Sequence, residues 1–234
     1  MIVDIITLFP KLFDGFKTET LIKRAQQKGL LTLNVYHLRT WARSKHQQVD
    51  DTPFGGGPGM VLKPEPLFLA LHDLTGGYQQ RPLVTYFTPS GELLNQRLLK
   101  ELSSIEHHIF ICGRYKGVDQ RVLDTWVDRQ ISIGDYVLSG GELPALVTLE
   151  GMTRLIPSVI NDIESAHTDS FEDDLLEGPL YTRPEEYEGQ KVPEVLSSGH
   201  HAKIADWCKE KALEKTRKYR PDLWQDYIKK NKQK

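Results

Sequence analysis

The chain has 234 residues, 39% of them hydrophobic, with 30 Lys/Arg against 32 Asp/Glu and a formal net charge of -2. It is long enough to bury a core, its composition is that of a soluble globular protein, and no apolar run reaches the roughly 18 residues of a membrane span. The opening MIVDIITLFP is a short apolar run carrying Asp4, with no basic start and no small-residue cleavage site, so it reads as a first strand; a cytoplasmic location with no membrane partner is expected.

In chain order, IVDIITLF (2–9) is the first expected strand, followed by FDGFKTETLIKRAQQKG, whose apolar spacing is helical and which Gly29 stops. LLTLNVYHL (30–38) is a second strand, and PEPLFLALHDL repeats apolar residues every three or four as a helix does. RPLVTYF (81–87), HHIFIC (107–112) and RQISIG (129–134) are three more strands. GVDQRVLDTWV lies between the last two as a helix, and another helix runs from about Glu142 to Leu155. Strands alternating with helices predict an α/β domain with a mostly parallel sheet and helices on both faces.

After Pro157 the chain turns polar and acidic. Asn161 to Glu188 carries 10 acidic residues against Arg183 alone, whereas Lys203 to Lys234 carries 11 Lys/Arg against 5 Asp/Glu. The expected organisation is an α/β domain over 1–160, an acidic linker over 161–169 and a small, mainly helical domain over 170–234, with a helix from near Ser198 that stops before Pro221. The basic tail with Trp207, Tyr219, Trp224 and Tyr227 suits a phosphate backbone and unstacked bases. A solvated amphipathic helix explains it equally well, and both readings stand at this point.

Cys112 and Cys208 are far apart and outside any Cys-x-x-Cys pair, so neither a disulfide framework nor a structural zinc site is indicated. His107 and His108 are neighbours in a strand and face opposite sides, which predicts no metal there. His200 and His201 sit at a helix start and suit caps.

Three strands end in unusual loops, TYFTPSGE, ICGRYKGVDQR and ISIGDYVLSGGELP. In open α/β sheets ligands bind beyond the carboxyl ends of the strands, so these loops together describe a site. There is no Gly-x-x-x-x-Gly-Lys-Ser/Thr run, and no Gly-x-Gly-x-x-Gly follows the first strand, which argues against triphosphates and dinucleotides. Gly113, Gly117, Gly134, Gly140 and Gly141 offer backbone for close approach, with Ile133, Tyr136, Leu138 and Pro144 as apolar walls. Such a pocket suits an adenosine with an uncharged or cationic tail; the alternative is that the glycines only make tight turns. VDDTPFGGGPGMVLKPEP places four glycines and two prolines within Pro53 to Gly59, either a loop that closes over a ligand or an ordinary flexible one.

The segments DDTPFGGGPGM, ICGRYKGVDQR, SIGDYVLSGGELPALV, RLIPSVI, DSF, GPLYTRP and VPEVLSSGHH resemble, collinearly from Ile2 to about Trp207, the bacterial tRNA (guanine-N1)-methyltransferase (TrmD) family of the SPOUT superfamily. The resemblance implies a deep trefoil knot at the end of the α/β domain that holds S-adenosylmethionine. It implies a cofactor site made by Tyr86, Gly113, Ile133, Gly134, Asp135, Tyr136, Val137, Leu138, Gly140, Gly141 and Pro144. It further implies a homodimer whose active sites are shared between chains, and a substrate, the tRNA anticodon stem-loop, methylated at N1 of the guanosine immediately 3′ of the anticodon (position 37).

By the same resemblance Asp169 is the general base and Arg154 stabilises the guanine. Read locally, each residue has a second explanation. DSFEDDLLE resembles a helix start in which Asp169 or Ser170 is the cap and Glu172 or Asp173 closes a capping box. Arg154 at the end of a helix complements the helix dipole. The chain also departs from the family pattern, with Lys116 and Gln120 where Glu is usual, and with Ala205, Asp206 and Cys208 around Trp207 where the family is more basic. Magnesium, on which the family depends, is therefore only a candidate cofactor here, and Lys116 is expected near the cofactor carboxylate or an RNA phosphate.

Overall fold

The computed structural model describes residues 1–76, 81–160, 169–171 and 174–232. β1 (Ile2–Thr7) is buried at every position after the first, the pattern of a strand covered on both faces. β2 (Thr32–His37) runs parallel on one side of it, with Ile2 opposite Thr32, and β6 (His107–Ile111) runs parallel on the other. β5 (Leu83–Leu93) and β7 (Arg129–Ser132) complete a five-stranded parallel sheet in the order β2-β1-β6-β5-β7. A second, two-stranded piece pairs β3 (Asp50–Asp51) with β4 (Val61–Leu62).

Side chains alternate between two cores. Val3, Ile5, Phe110 and Phe87 point to one face, against α2 (Thr20–Gln27), α4 (Gln96–Ser103) and α6 (Glu142–Leu155). Ile6, Ile109, Ile111 and Val84 point to the other, against α3 (Pro64–Thr75) and α5 (Gln120–Trp126). Neighbours in sequence such as Ile109 and Phe110 thus serve different layers, as a period of two requires. Each fully buried Leu, Ile or Phe contributes on the order of 1.5–3 kcal/mol, so both layers hold the sheet in place.

The five expected strands are present with shifted ends. β1 stops at Thr7 because Pro10 opens a 3-10 turn over Pro10–Phe13, followed by the short helix α1 (Asp14–Thr18). Gly29 ends α2 with φ 68°, and its N–H reaches the Gln26 carbonyl at 3.0 Å. α4 is a helix that the sequence reading lacked. Its signals were local all the same: Asn95 caps the Leu98 N–H at 3.0 Å, and Leu98 and Leu102, one turn apart, are buried. The two histidines of β6 have different partners. His107 Nε2 lies 2.7 Å from Asp4 Oδ2, while His108 Nε2 donates to the Leu102 carbonyl at 3.0 Å. Burial lowers the His108 pKa to about 4, so its ring is neutral.

The chain divides into two compact units, Met1–Asn161 and Asp162–Lys234. In the second, β8 (Glu186–Tyr187) and β9 (Gln190–Lys191) form a hairpin, followed by α7 (Glu194–Ser197), α8 (His201–Tyr219) and α9 (Pro221–Lys232). α8 ends before Pro221 as expected, and Pro221 opens α9, where a missing N–H costs nothing. Buried Thr216 of α8 accepts from the Leu176 N–H at 2.8 Å and donates to the Ala212 carbonyl at 2.7 Å, pinning the loop to the helix.

The capped-helix reading of DSF gives way to a turn. Asp169 to Phe171 are bend and turn, Phe171 has φ 78°, and its N–H reaches the Leu175 carbonyl at 2.7 Å. Ser170 Oγ accepts from the Glu177 N–H at 3.0 Å. Glu172, Asp173 and linker residues 161–168 lie outside the described residues. Among the described residues no helix is long and apolar enough to cross a membrane.

Candidate functional site: a cavity at the carboxyl ends of three strands

β5 passes β7 in two registers, Phe87 opposite Ile131 and then Glu92 opposite the same Ile131, so Thr88 to Gly91 bulge out of the sheet. Gly91 permits the return, because a Cβ there would lie 2.5 Å from the Gln130 carbonyl carbon and the Ile131 nitrogen. β6 runs out into Cys112 and Gly113, and α6 begins beside it. The Gly141 N–H donates to the Gly113 carbonyl at 2.9 Å, and a Cβ on Gly141 would come within 2.9 Å of the Cys112 Cα. Strand end and helix start therefore touch backbone to backbone, a contact that only glycine allows.

Between β7 and α6 the chain makes the bend Ser132 to Gly140. Gly134 takes φ 148°, where a Cβ would strike the Tyr136 ring, and the Tyr136 hydroxyl donates to the Ile133 carbonyl at 3.2 Å. These segments enclose a cavity of about 540 Å3. Tyr86, Gly113, Ile133, Gly134, Tyr136, Val137, Leu138, Gly140, Gly141 and Pro144 all line it. Asp135 is exposed and does not. The Tyr86 phenol is pushed up in pKa by burial and is neutral.

A largely buried ion pair that sequence reading did not anticipate lies beside the cavity, which Arg114 lines. Glu142, in the first turn of α6, accepts from Thr7 Oγ1 at 2.8 Å and from Arg114 Nε at 3.1 Å, both on Oε1. Arg114 Nη2 stands 3.0 Å from Glu142 Oε2, close enough for an ion pair although the angle is poor for a hydrogen bond. The guanidinium also lies 4.3 Å from the Phe9 ring centroid and donates to Ser139 at 3.3 Å. One Arg and one Glu thus join the end of β1, the end of β6, the bend and the start of α6. Burial, reinforced by Glu142, raises the Cys112 thiol well above its usual range, so it is an inert packing group.

The glycine-dense loop reaches the cavity as well. Gly55, Gly56, Gly57 and Gly59 all have positive φ, Phe54 is fully exposed, and Gly59 and Met60 join the lining. The Lys116 N–H donates to the Met60 carbonyl at 2.9 Å, which anchors the loop's end at the rim.

The two expected catalytic residues are placed differently. Arg154 is exposed in the last turn of α6, the opposite end from Gly141. At 1.5 Å per residue its backbone stands about 15 Å along the helix from Pro144, the last residue of α6 that lines the cavity of its own chain. Asp169 belongs to the second unit and is half-buried in its turn. Among the described residues no group of three or more His, Cys, Asp or Glu is arranged to hold a metal ion.

Fold and cavity define an α/β protein with a described cavity, at the carboxyl ends of three strands, walled mainly by glycine backbone and apolar side chains, and no phosphate-loop motif in its sequence. The chain belongs to the tRNA (guanine-N1)-methyltransferase TrmD family, whose model matches residues 1–226. It is 53% identical over 224 residues to a tRNA (guanine-N(1)-)-methyltransferase of Moorella thermoacetica, covering 95% of this chain and 90% of the relative. Proteins of the same name from Clostridioides difficile (47% identical, 94% and 96% covered) and Staphylococcus carnosus (49%, 97% and 92%) are similar along nearly their whole lengths.

Proposed function

We propose that this protein is a cytoplasmic, S-adenosylmethionine-dependent methyltransferase acting on N1 of the guanosine immediately 3′ of the tRNA anticodon, position 37. The observation that carries the reading is the 540 Å3 cavity, which has the size of a small-molecule site, in a chain with no phosphate-loop motif. Its backbone edges suit an adenine, its apolar walls a ribose and thioether chain, and membership of the family supplies the reaction. When bound, the cofactor supplies an activated methyl group.

The chain's own residues do the rest. The bend from Ile133 to Leu138 and Pro144 shields the reacting end from water. The target base must leave its stack to reach the cavity. Asp169 takes the N1 proton as the N1 lone pair turns to the methyl, and Arg154 offsets the negative charge that grows on the guanine. Lysines and arginines of α8 and α9, among them Lys215, Arg217, Lys218 and Lys229, hold phosphates of the anticodon arm. The described lining offers no carboxylate to hold magnesium.

A homodimer belongs to the same proposal. The described surface of the first unit leaves Phe9, Leu12 and Phe16 exposed near the start of the chain, and Leu143 and Val147 exposed one turn apart on α6. A second copy covering these residues would also give Arg154, about 15 Å along α6 from Pro144, a cavity to serve. The family's trefoil knot is likewise part of the proposal.

The reading is tested by digesting treated tRNA to nucleosides. 1-Methylguanosine is the expected product; N2- or 7-methylguanosine, or no modified nucleoside, would contradict it.

A further inference from the structure

The described lining of the cavity is charged in one sense only. It contains two cations, Arg114 and Lys116, and no Asp or Glu. Arg114 is already neutralised by Glu142. Lys116 makes no ion pair among the described residues, and its side chain is exposed at the rim. Its stem is nonetheless placed with care: a Cβ on Gly59 would lie 2.9 Å from Lys116 Cγ and 3.3 Å from its Cε. With φ 97° as well, Gly59 is the residue that lets the lysine lie along the loop. The ordered backbone bond from Lys116 to Met60 fixes where that stem starts.

An unpaired ammonium beside an otherwise neutral cavity selects for an anion. On the function proposed above, the ligand carries a sulfonium, an ammonium and one carboxylate, so only the carboxylate fits. We propose that Lys116 binds the carboxylate of the ligand's amino-acid end and so sets the cavity's preference for the complete amino-acid-bearing nucleoside over one that lacks this end. The proposal rests on that functional reading, and a partly exposed, charge-assisted contact of this kind is worth about 5- to 10-fold in affinity.

The test is calorimetry on the full-length protein with two non-reacting ligands: S-adenosylhomocysteine, which keeps the carboxylate, and 5′-methylthioadenosine, which lacks the amino-acid end. Lys116→Gln should weaken the first about 5- to 10-fold and leave the second unchanged, and Lys116→Arg should restore most of the loss. Equal weakening of both ligands would mean that Lys116 only shapes the loop and would overturn the assignment. Unchanged binding of both would overturn it too, and if tRNA binding fell at the same time the lysine would belong to an RNA phosphate. Failure of the unaltered protein to bind either ligand would overturn the functional reading and this proposal together, which separates the two failures.

Discussion

Replacing Asp169 by Ala is expected to lower the rate of methyl transfer about 10²- to 10⁴-fold, the range a positioned general base supplies, with the Kd for S-adenosylhomocysteine unchanged. Guanine N1 holds its proton at neutral pH, so a carboxylate must accept it before or during attack on the methyl. Asp169 lies in the second unit and does not line the cavity, which is why binding and turnover should separate. Mixing this variant with Gly134→Val, which crowds the bend against Tyr136, should restore part of the activity if each site takes its cavity from one chain and Asp169 from the other. Turnover within tenfold of the unaltered protein would remove Asp169 as the base. Absence of recovery in verified heterodimers would count against shared sites.

The second large effect is structural. Glu142→Ala should lower the unfolding free energy by about 3 kcal/mol, because Arg114 would keep a largely buried charge with no anion beside it and Thr7 would lose its acceptor. For a chain of this size that corresponds to a fall in Tm of roughly 10 °C. The pair ties Arg114, Ser139 and the start of α6 together at the cavity lining, so S-adenosylhomocysteine should bind more weakly as well. Replacing both partners with Leu should cost less than the sum of the single changes, since no buried charge is then left alone. Urea denaturation measures both, and a loss below about 1 kcal/mol for Glu142→Ala would mean that the pair holds little together.

The sheet was legible because its strands are short β-branched runs between helical repeats, and parallel strands buried on both faces read that way. The bend before α6 was legible as chemistry, through Gly134, Gly140, Gly141 and the apolar residues beside them. Contacts that pair distant positions were not. Thr7 meets Glu142 across 135 residues, and Arg114 meets it across 28, a relation that no local period encodes. The bulge of β5 was hidden for a similar reason: alternation says which side a residue faces and cannot show that Phe87 and Glu92 share one partner. Local reading misled at Asp169, where an acidic run after a Ser resembles a capped helix but the backbone turns through Phe171 in the left-handed region. Arg154 shows another limit. Its place at the end of the helix whose start carries Gly141 and Pro144 was visible, but which cavity, its own chain's or a partner's, it could serve was not.

The most direct test of the central claim is transfer of labelled methyl from S-adenosylmethionine to two tRNA transcripts that differ only in guanosine or adenosine immediately 3′ of the anticodon. Labelling of the guanosine transcript alone is the predicted result and would join cofactor, reaction and position in one experiment. Equal labelling of both, or none of either with S-adenosylhomocysteine binding intact and magnesium supplied, would contradict the account.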